Sequence, residues 1–360
     1  MSGIPARRYN AKRFLSGSHP CIGEFMKLRV GLVGLGEAWE HRHRPALRAL
    51  ADRLEVRAVC DQVGHRAKWA AAEFGASAVD GFRALAERED VDAILMLAPQ
   101  WYGLLPILAA CDAGKAVYLG HGLPLEPELA ETIRQRVEKA GIAFVAEFPR
   151  RQAPATLRLK ELIATRLGPA RLVFCHHRLP VPERTSSASA CRPEPTILAE
   201  LVEQVDWCRY VVGSEPRWVT GICHGDCESP EPDYQMMSLD FSEGPTPGTG
   251  AIAQISCGRY FPASWREAIT YRPLAALQVC CQNGIAFVDL PSTVLWFDDA
   301  GRHQESLDAE RPIGEQFLTQ FYRAVTSLVR KSHDLEDACR AMKIVQEAIR
   351  SSRDGLRLPL

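Results

Sequence analysis

Short apolar runs alternate with amphipathic stretches between residues 28 and 147. The apolar runs are LRVGLV, LEVRAVC, DAILML, KAVYL and IAFVAEF, and the stretches between them, such as PELAETIRQRVEKAG, carry apolar residues at helical spacing. Continuous apolar runs are typical of strands buried on both faces, and helical crossovers between such strands produce a parallel sheet. This part of the chain therefore predicts an α/β domain with a doubly wound parallel sheet.

The regular alternation of predicted strands and helices ends after Arg151. The pattern predicts a helix at about 155–166, a strand over ARLVFCHH, a helix at about 197–212, several strands with Gly/Pro-rich connections, and two amphipathic helices near the C-terminus. This order is typical of an α+β domain with a large, open, mostly antiparallel sheet. We therefore divide the chain into residues 27–150 and 151–360, and we expect residues 1–26 to be a disordered N-terminal extension.

The composition argues against several classes of partner. The formal net charge is −1 and no block of Lys and Arg stands out, so the electric field that attracts nucleic acid or an anionic membrane is missing. No apolar run reaches the roughly 20 residues that span a bilayer, and the first 26 residues lack the apolar stretch of a secretory signal. The twelve cysteines are scattered through apolar segments, where cysteine acts as a small hydrophobe. We expect a cytoplasmic protein with no metal site.

The first apolar run leads into Gly34-Leu35-Gly36 and then into a helical pattern from about Arg44 to Ala51. Gly34 would allow a tight turn, and Gly36 would let the backbone approach a pyrophosphate at the positive end of the helix. The second apolar run ends at Asp61, 25 residues past Gly36, where an acid suits a ribose 2′-hydroxyl. The stretch predicts a dinucleotide site. In the alternative, the glycines form an ordinary strand-to-helix turn and Asp61 is only a cap.

Two residues near this turn affect which nucleotide is expected. Asp61 would repel a 2′-phosphate and is followed by Gln62, so we expect NAD in preference to NADP, although Arg66 lies one helical turn further on and is able to swing toward that phosphate. Trp39 holds the position of the third glycine in G-x-G-x-x-G. Its indole either lies over the cofactor crevice or packs in the core.

Several separate motifs resemble those of the glucose-fructose oxidoreductase, inositol dehydrogenase and MocA (Gfo/Idh/MocA) family, from about Leu28 to the C-terminus. They are HRPAL after the glycine turn, VDAILMLAP at 91–99, ACDAGK before the fifth strand, Arg150-Arg151, Asp206 with Gly213, and EAIRSS at 347–352. The resemblance implies an oxidoreductase that holds a nicotinamide dinucleotide in the first domain and a sugar or polyol in the second, and that forms a homo-oligomer. It places Ala38, Ala98, Pro99 and Gly120 beside the cofactor and Arg150, Arg151 and His177 beside the substrate.

The positions that manage the proton in this family are altered. The family's lysine position holds His121, the Asp and His positions of the inner helix hold Ala199 and Glu203, and the fourth-strand motif has Gln100 and Gly103 in place of Asn and His. In one interpretation, His121 and Glu203 form a substitute acid/base pair, and Asp206 is a further catalytic residue. In another, the site binds a nucleotide or ligand without turnover. A third alternative is an NAD-using glycosidase or lyase that acts by transient oxidation of the sugar.

The predicted helix at 197–212 carries Glu200, Glu203 and Asp206 at positions i, i+3 and i+6. Three acids at this spacing could bind a cation or a polyol, or Glu200 could lie on a solvated edge. His176 and His177 are consecutive residues of a predicted strand, so one faces the helices and the other faces the open side of the sheet. The sequence does not choose between the two histidines.

Overall fold

The computed structural model describes residues 27–36, 38–98, 102–120, 127–181, 196–225, 233–244, 246, 248–262, 264–265, 267, 275–308, 311–327 and 334–360. The chain forms two compact units. The first contains the described residues of Met1–Gly120, Ile133–Val145 and Gly314–Ser332, and the second those of His121–Thr132, Ala146–Ile313 and His333–Leu360. The first unit therefore includes a segment from far beyond residue 150, which the continuous division made from the sequence does not contain.

The first unit is built on a six-stranded sheet whose strand order is β3-β2-β1-β4-β5-β6. Its strands are β1 (Leu28–Val33), β2 (Leu54–Cys60), β3 (Ser77–Ala78), β4 (Ala93–Met96), β5 (Ala116–Leu119) and β6 (Phe144–Ala146). The pairs β1/β2, β1/β4, β2/β3 and β4/β5 are parallel, and every residue of β4 and β5 is buried. The doubly wound parallel sheet is confirmed. Its strand order reverses between β1 and β4, which is where ligands of such sheets bind.

The helices that follow these strands are α1 (Arg44–Ala49), α2 (Gly64–Phe74), α3 (Phe82–Ala86), α4 (Leu105–Ala113) and α5 (Pro127–Ala140). A π-helical turn, Trp39–His43, precedes α1. Within it, the N–H groups of Arg42 and His43 both donate to the carbonyl of Ala38, at 2.9 and 3.2 Å. The helical segment thus begins at Trp39, five residues earlier than the hydrophobic pattern predicts.

The second unit is built on a nine-stranded sheet of order β14-β13-β12-β11-β7-β10-β9-β8-β15. Its strands are β7 (Ala170–Val181), β8 (Trp218–His224), β9 (Tyr234–Asp240), β10 (Ile252–Pro262), β11 (Leu277–Cys281), β12 (Gly284–Asp289), β13 (Thr293–Asp298), β14 (Gly301–Ser306) and β15 (Leu358–Pro359). The central pair β7/β10 is parallel, and the other pairs are antiparallel. The predicted large, mostly antiparallel sheet is confirmed.

Helices cover one face of this sheet. Among the described residues, the other face, the open face, exposes Leu172, Phe174 and Ile222. The remaining helices of the chain are α6 (Pro149–Gln152), α7 (Pro154–Leu162), α8 (Ile197–Val212), α9 (Ile313–Thr326) and α10 (Asp334–Asp354), of which α9 lies in the first unit. Helices α8 and α10 contribute to the core of the covered face. A Cβ atom on Gly221 of β8 would lie 1.9 Å from the carbonyl oxygen of Ala348, so the backbone of α10 rests directly on the sheet. No described helix is long and apolar enough to cross a membrane.

Candidate functional site

The glycine turn lies on the end of β4, at the switch point of the first sheet. Gly34 and Gly36 have φ angles of 66° and 65°, which favour glycine. A Cβ atom on Gly34 would lie 2.7 Å from the Cβ of Ala98, and one on Gly36 would lie 2.3 Å from the carbonyl oxygen of Leu97. Both glycines are therefore required by the packing of the turn on this strand end. The structure brings together three of the predicted cofactor residues, Gly34, Gly36 and Ala98, whereas Pro99 lies outside the described residues.

Asp61 connects the end of β2 to the glycine turn. Its Oδ2 atom accepts the N–H of Leu35 at 2.9 Å, and its Oδ1 atom accepts the N–H of Val63 at 2.9 Å. The N–H of Gly34 in turn donates to the carbonyl of Cys60 at 2.8 Å. The carboxylate therefore caps the turn, as the alternative interpretation expects, and it does so at the strand end where a ribose would bind. Each oxygen retains a lone pair for a further hydrogen bond.

Trp39 is a core residue of the first unit. Its side chain is 2% exposed, and its ring meets Phe74 of α2 edge-on at a centroid distance of 6.0 Å. Ala38, another predicted cofactor residue, begins the π-helical turn that carries Trp39. The large indole thus lies between the first helical segment and α2. Of the two predicted positions for Trp39, the structure shows the one in the core.

Gly120 lies at the end of β5 against a buried histidine. Its N–H donates to the carbonyl of Met96 at 2.9 Å. A Cβ atom at this position would lie 3.2 Å from Nε2 of His43, a histidine that is fully buried. Gly120 is therefore fixed beside the end of β4. His121, the predicted acid/base, lies outside the described residues.

Arg150 is held by two of the three acids of α8. Its Nη2 atom lies 2.5 Å from Oε2 of Glu200, and its Nε atom lies 3.7 Å from Oε2 of Glu203. Burial alone would lower the pKa of this guanidinium, but the two carboxylates outweigh burial and the pKa lies above its usual range. Glu200 is largely buried in this pair rather than solvated. Glu203 is the more accessible acid, with 32% of its side chain exposed.

Arg151 binds the third acid, Asp206. Its Nε atom donates to Oδ2 of Asp206 at 2.6 Å and its Nη2 atom donates to Oδ1, while Nη1 donates to Asp337 of α10 at 2.8 Å. The Asp206 side chain is 2% exposed. Burial raises the pKa of Asp206 to about 6, against the influence of Arg151 and Arg209, so the carboxylate remains ionised at neutral pH. Its geometry suits a residue that positions Arg151 rather than one that exchanges protons with a substrate.

The two histidines of β7 face opposite sides of the sheet. His177 lies on the covered face, with Nε2 3.8 Å from Oε2 of Glu200. His176 lies on the open face, with Nδ1 2.7 Å from Oγ of Ser256 and Nε2 3.0 Å from the hydroxyl of Tyr260. Burial lowers the pKa of both histidines. At His177 the Glu200 carboxylate opposes this effect and Arg150 adds to it, and the pKa stays below its usual value. His177 is therefore neutral at pH 7 and can donate or accept one hydrogen bond at each ring nitrogen.

The polar cluster of the second unit therefore consists of Arg150, Glu200, Glu203 and His177. Its accessible groups are a carboxylate and a neutral imidazole, both of which suit hydrogen bonding to hydroxyl groups. Among the described residues, no three His, Cys, Asp or Glu side chains are arranged to hold a metal ion. Sequence reasoning found the members of the cluster but not their pairing, nor the contact of Arg151 with Asp337. The signal for the acids was their spacing of i, i+3 and i+6 on the predicted helix, and the signal for Arg150 and Arg151 was the resemblance to the paired arginines of the Gfo/Idh/MocA family.

The six-stranded sheet and the glycine turn define a Rossmann-like α/β unit. Residues 28–148 match the model of the Gfo/Idh/MocA family, described as "Oxidoreductase family, NAD-binding Rossmann fold". About a third of the chain, residues 28–148, is thus similar to the NAD-binding Rossmann fold of this family.

Individual relatives match part of the chain. Inositol 2-dehydrogenase 3 of Saccharopolyspora erythraea is 30% identical over 193 residues, which cover 53% of this chain and 55% of that protein. A dTDP-3,4-didehydro-2,6-dideoxy-alpha-D-glucose 3-reductase of Actinomadura kijaniata is 32% identical over 121 residues, or 34% and 36% of the two chains. The chain thus spans about half the length, or less, of these curated relatives.

Solved structures share the whole fold. The aldose-aldose oxidoreductase of Caulobacter crescentus superposes with a TM-score of 0.76 at 16% identity, covering 93% of this chain and 100% of that one. The UDP-N-acetylglucosamine 3-dehydrogenase of Acidithiobacillus ferrooxidans gives a TM-score of 0.70 at 18% identity, covering 92% and 99%. At this level of identity the likeness establishes the fold alone.

Proposed function

We propose that this protein is an NAD-dependent oxidoreductase that transfers a hydride between nicotinamide and a sugar, polyol or related hydroxy compound. The observation that carries the proposal is the contact of Asp61 with the N–H of Leu35, which joins a ribose acceptor to the glycine turn at the sheet's switch point. The relatives named for inositol and for a dTDP-sugar support the substrate class. When bound, the nicotinamide supplies the hydride chemistry.

The residues of the first unit fit a dinucleotide. The turn at Gly34 and Gly36 packs closely against Ala98 at the end of β4. Asp61 retains lone pairs that can accept hydrogen bonds from ribose hydroxyls. We propose that these residues, with Ala38, Pro99 and Gly120, hold the nucleotide. NAD is preferred to NADP in this proposal because the negatively charged 2′-phosphate of NADP would lie beside the Asp61 carboxylate.

The charges of the polar cluster in the second unit favour an uncharged substrate. Arg150 carries one positive charge, Glu200 and Glu203 carry two negative charges, and His177 is neutral, so the cluster has a net charge of about −1 at pH 7. Both predicted substrate arginines are already paired with carboxylates, which leaves little attraction for a sugar acid or sugar phosphate. We therefore propose that Glu203 and His177 bind substrate hydroxyls and that Arg150 and Arg151 position the acids.

We propose that His121 replaces the family's lysine as general acid/base, with Glu203 as a carboxylate neighbour. An imidazole titrates near neutrality and suits proton exchange with a hydroxyl. The competing function is binding without turnover, and the specific observation in its favour is the loss of the family residues at positions 121, 199 and 203. The NAD-using glycosidase or lyase remains a second alternative.

Two measurements test these functions together. The first is the identity of any nucleotide released from the purified protein on denaturation. The second is NADH formation with neutral polyols and sugars, with sugar acids and sugar phosphates, and with glycosides. Turnover of neutral polyols supports the proposal, and release of the aglycone from glycosides without net NADH supports the alternative chemistry. Nucleotide binding without turnover of any compound would establish the non-catalytic function, and failure to bind either nucleotide would refute the proposal.

We also propose that the open face of the second sheet supports self-association in the cytoplasm. Leu172, Phe174 and Ile222 are 41%, 37% and 52% exposed on this face, around a groove of about 310 Å³ that Met236 and Ile252 also line. An apolar patch on a sheet face is a feature of interaction surfaces. Light scattering during size-exclusion chromatography should give the mass of an oligomer, and Phe174→Glu should lower that mass.

A further inference from the structure

His43 is a fully buried histidine that the proposed function does not use. It is the first residue of the HRPAL motif and the last residue of the π-helical turn Trp39–His43, which follows the glycine turn. π-helical turns are rare and occur often at functional sites. Burial of a polar imidazole costs free energy that burial of an apolar side chain does not. The position of His43 therefore favours a role beyond filling the core.

The imidazole of His43 lies against the end of β5. A Cβ atom on Gly120 would lie 3.2 Å from Nε2 and 3.3 Å from Cε1 of His43, and 3.2 Å from Cδ2 of Leu97. These distances are too short for a methyl group unless its neighbours move. The N–H of Gly120 also donates to the carbonyl of Met96 at 2.9 Å. The ring edge of His43 and this hydrogen bond together fix the backbone at Gly120.

The ring of His43 is itself held by two further aromatic rings. It meets the fully buried ring of Tyr118 edge-on at a centroid distance of 6.3 Å. Tyr118 in turn meets Phe321 of α9 at a centroid distance of 5.4 Å. Edge-on contacts between aromatic rings are favourable, so the three rings join the first helical segment, β5 and α9. An imidazole held in this way is able to hold Gly120 in place.

The end of β5 lies on the nicotinamide side of the proposed nucleotide site. In that site the glycine turn at the end of β1 takes the pyrophosphate, and Asp61 at the end of β2 takes the ribose of the adenosine half. The strands are ordered β2-β1-β4-β5, so the other half of the dinucleotide extends over the ends of β4 and β5. Gly120 is the last described residue at this strand end, and His121, the proposed acid/base, follows it in the sequence.

We propose that His43 is a positioning residue for the nicotinamide half of the dinucleotide. It fixes the end of β5 at Gly120 and thereby the surface against which the nicotinamide rests. Because the side chain of His43 is fully buried, it acts through Gly120 and not by touching the nucleotide. This inference rests on the proposed function, since it concerns the same nucleotide site.

The first test compares the binding of NADH with that of ADP-ribose, which lacks the nicotinamide, by titration calorimetry. His43→Leu removes the ring and keeps a buried side chain of similar size. We expect it to weaken NADH binding about tenfold, the effect of one misplaced hydrogen bond or contact, and ADP-ribose binding less than about threefold. Phe321→Leu is the matched control, because it removes a ring from the other neighbour of Tyr118. It should lower the melting temperature and weaken both ligands equally or not at all.

The second test exchanges size between His43 and Gly120. Gly120→Ala should weaken NADH binding, because its methyl group meets the imidazole. His43→Asn removes the Nε2 and Cε1 atoms, keeps a polar group in the core and gives that methyl group room. The double variant should therefore bind NADH about threefold or more better than the two single effects predict when added, as is usual for residues in contact. This test also decides the matter if His43→Leu does not fold.

Three outcomes would overturn the inference. An equal loss of NADH and ADP-ribose binding in His43→Leu would make His43 a structural residue of the whole unit. Unchanged NADH affinity in that variant would remove any role at the site, and strictly additive effects of His43→Asn and Gly120→Ala would show that the contact does not matter. In each of these the wild type binds NADH. If the wild type binds neither ligand, the proposed function itself fails and the inference fails with it.

Discussion

Arg151 and Asp206 form a two-point ion pair in which both carboxylate oxygens accept guanidinium N–H groups and the Asp206 side chain is 2% exposed. Removal of one partner from a buried pair costs about 3–5 kcal/mol, and here Asp337, which accepts from Nη1 of Arg151, keeps part of the compensation in place. Asp206→Asn should therefore lower the free energy of unfolding by about 3 kcal/mol, measured by urea denaturation. The exposed pair Glu336 and Arg340 provides a control, and Glu336→Gln should cost under about 1 kcal/mol. A large loss of turnover in Asp206→Asn without loss of stability would instead identify direct contact with substrate.

Asp61→Ala should weaken NADH binding by about tenfold or more, because the substitution removes both a ribose acceptor and the bond that holds the Leu35 N–H. Asp61→Asn should lose less affinity for NADH than Asp61→Ala, since the amide oxygen can still accept a hydrogen bond from one of the two backbone N–H groups. Fluorescence titration with NADH measures both variants. Asp52→Ala, an exposed aspartate before the same strand, serves as the control. Unchanged NADH affinity in Asp61→Ala would contradict the assignment of Asp61 to the ribose.

Trp39→Phe should reduce stability by about 1–3 kcal/mol, because it removes part of a buried ring that packs against Phe74. The quenching of tryptophan emission by NADH should be unchanged in this variant, since the indole is directed into the core. Trp69→Phe is the matched control, because the Trp69 side chain is 46% exposed and its loss should alter stability much less. Loss of the quench in Trp39→Phe would show that the indole contacts the nucleotide.

His121→Ala should lower turnover on a neutral polyol by about 10²–10⁴-fold, the usual contribution of a general acid/base, while NADH affinity changes little. Turnover of the wild type should depend on pH near neutrality, and Glu203→Gln should alter that dependence if the carboxylate is a neighbour of the imidazole. Steady-state kinetics across pH 5–9 check both statements. The non-catalytic alternative predicts no turnover in the wild type and no response to His121→Ala.

Glu215→Gln should show a stability effect that depends on pH. The hydrogen bond from Arg209 lowers the pKa of Glu215 below its usual range. A carboxyl with a lowered pKa in the folded state contributes stability above its unfolded value, near 4.5, and loses that contribution as the pH falls through the folded value. Urea unfolding at pH 7 should therefore find Glu215→Gln less stable than the wild type, and the difference should be smaller at acid pH than at pH 7. A difference that is equal at both pH values would mean that the charge of Glu215 plays no part.

Much of the fold followed from periodicity. The continuous apolar runs of β4 and β5 indicated strands buried on both faces, and α8 begins and ends where its pattern predicted, at Ile197 and Val212. Such patterns are local, because burial repeats with the period of the element itself. The glycine turn and Asp61 were likewise visible in the sequence, since the strand-turn-helix context is short and continuous.

The pairing of charges was decided only by the tertiary structure. Arg150 and Glu200 are 50 residues apart in the chain, and Arg151 and Asp206 are 55 residues apart. No local pattern specifies which arginine pairs with which acid. The side of the sheet on which His177 lies and the inward direction of Trp39 depended in the same way on what packs against β7 and α2. Composition and periodicity determine which surfaces are apolar. The relative positions of distant polar groups are determined only when the strands adopt their register and the helices cover the sheet.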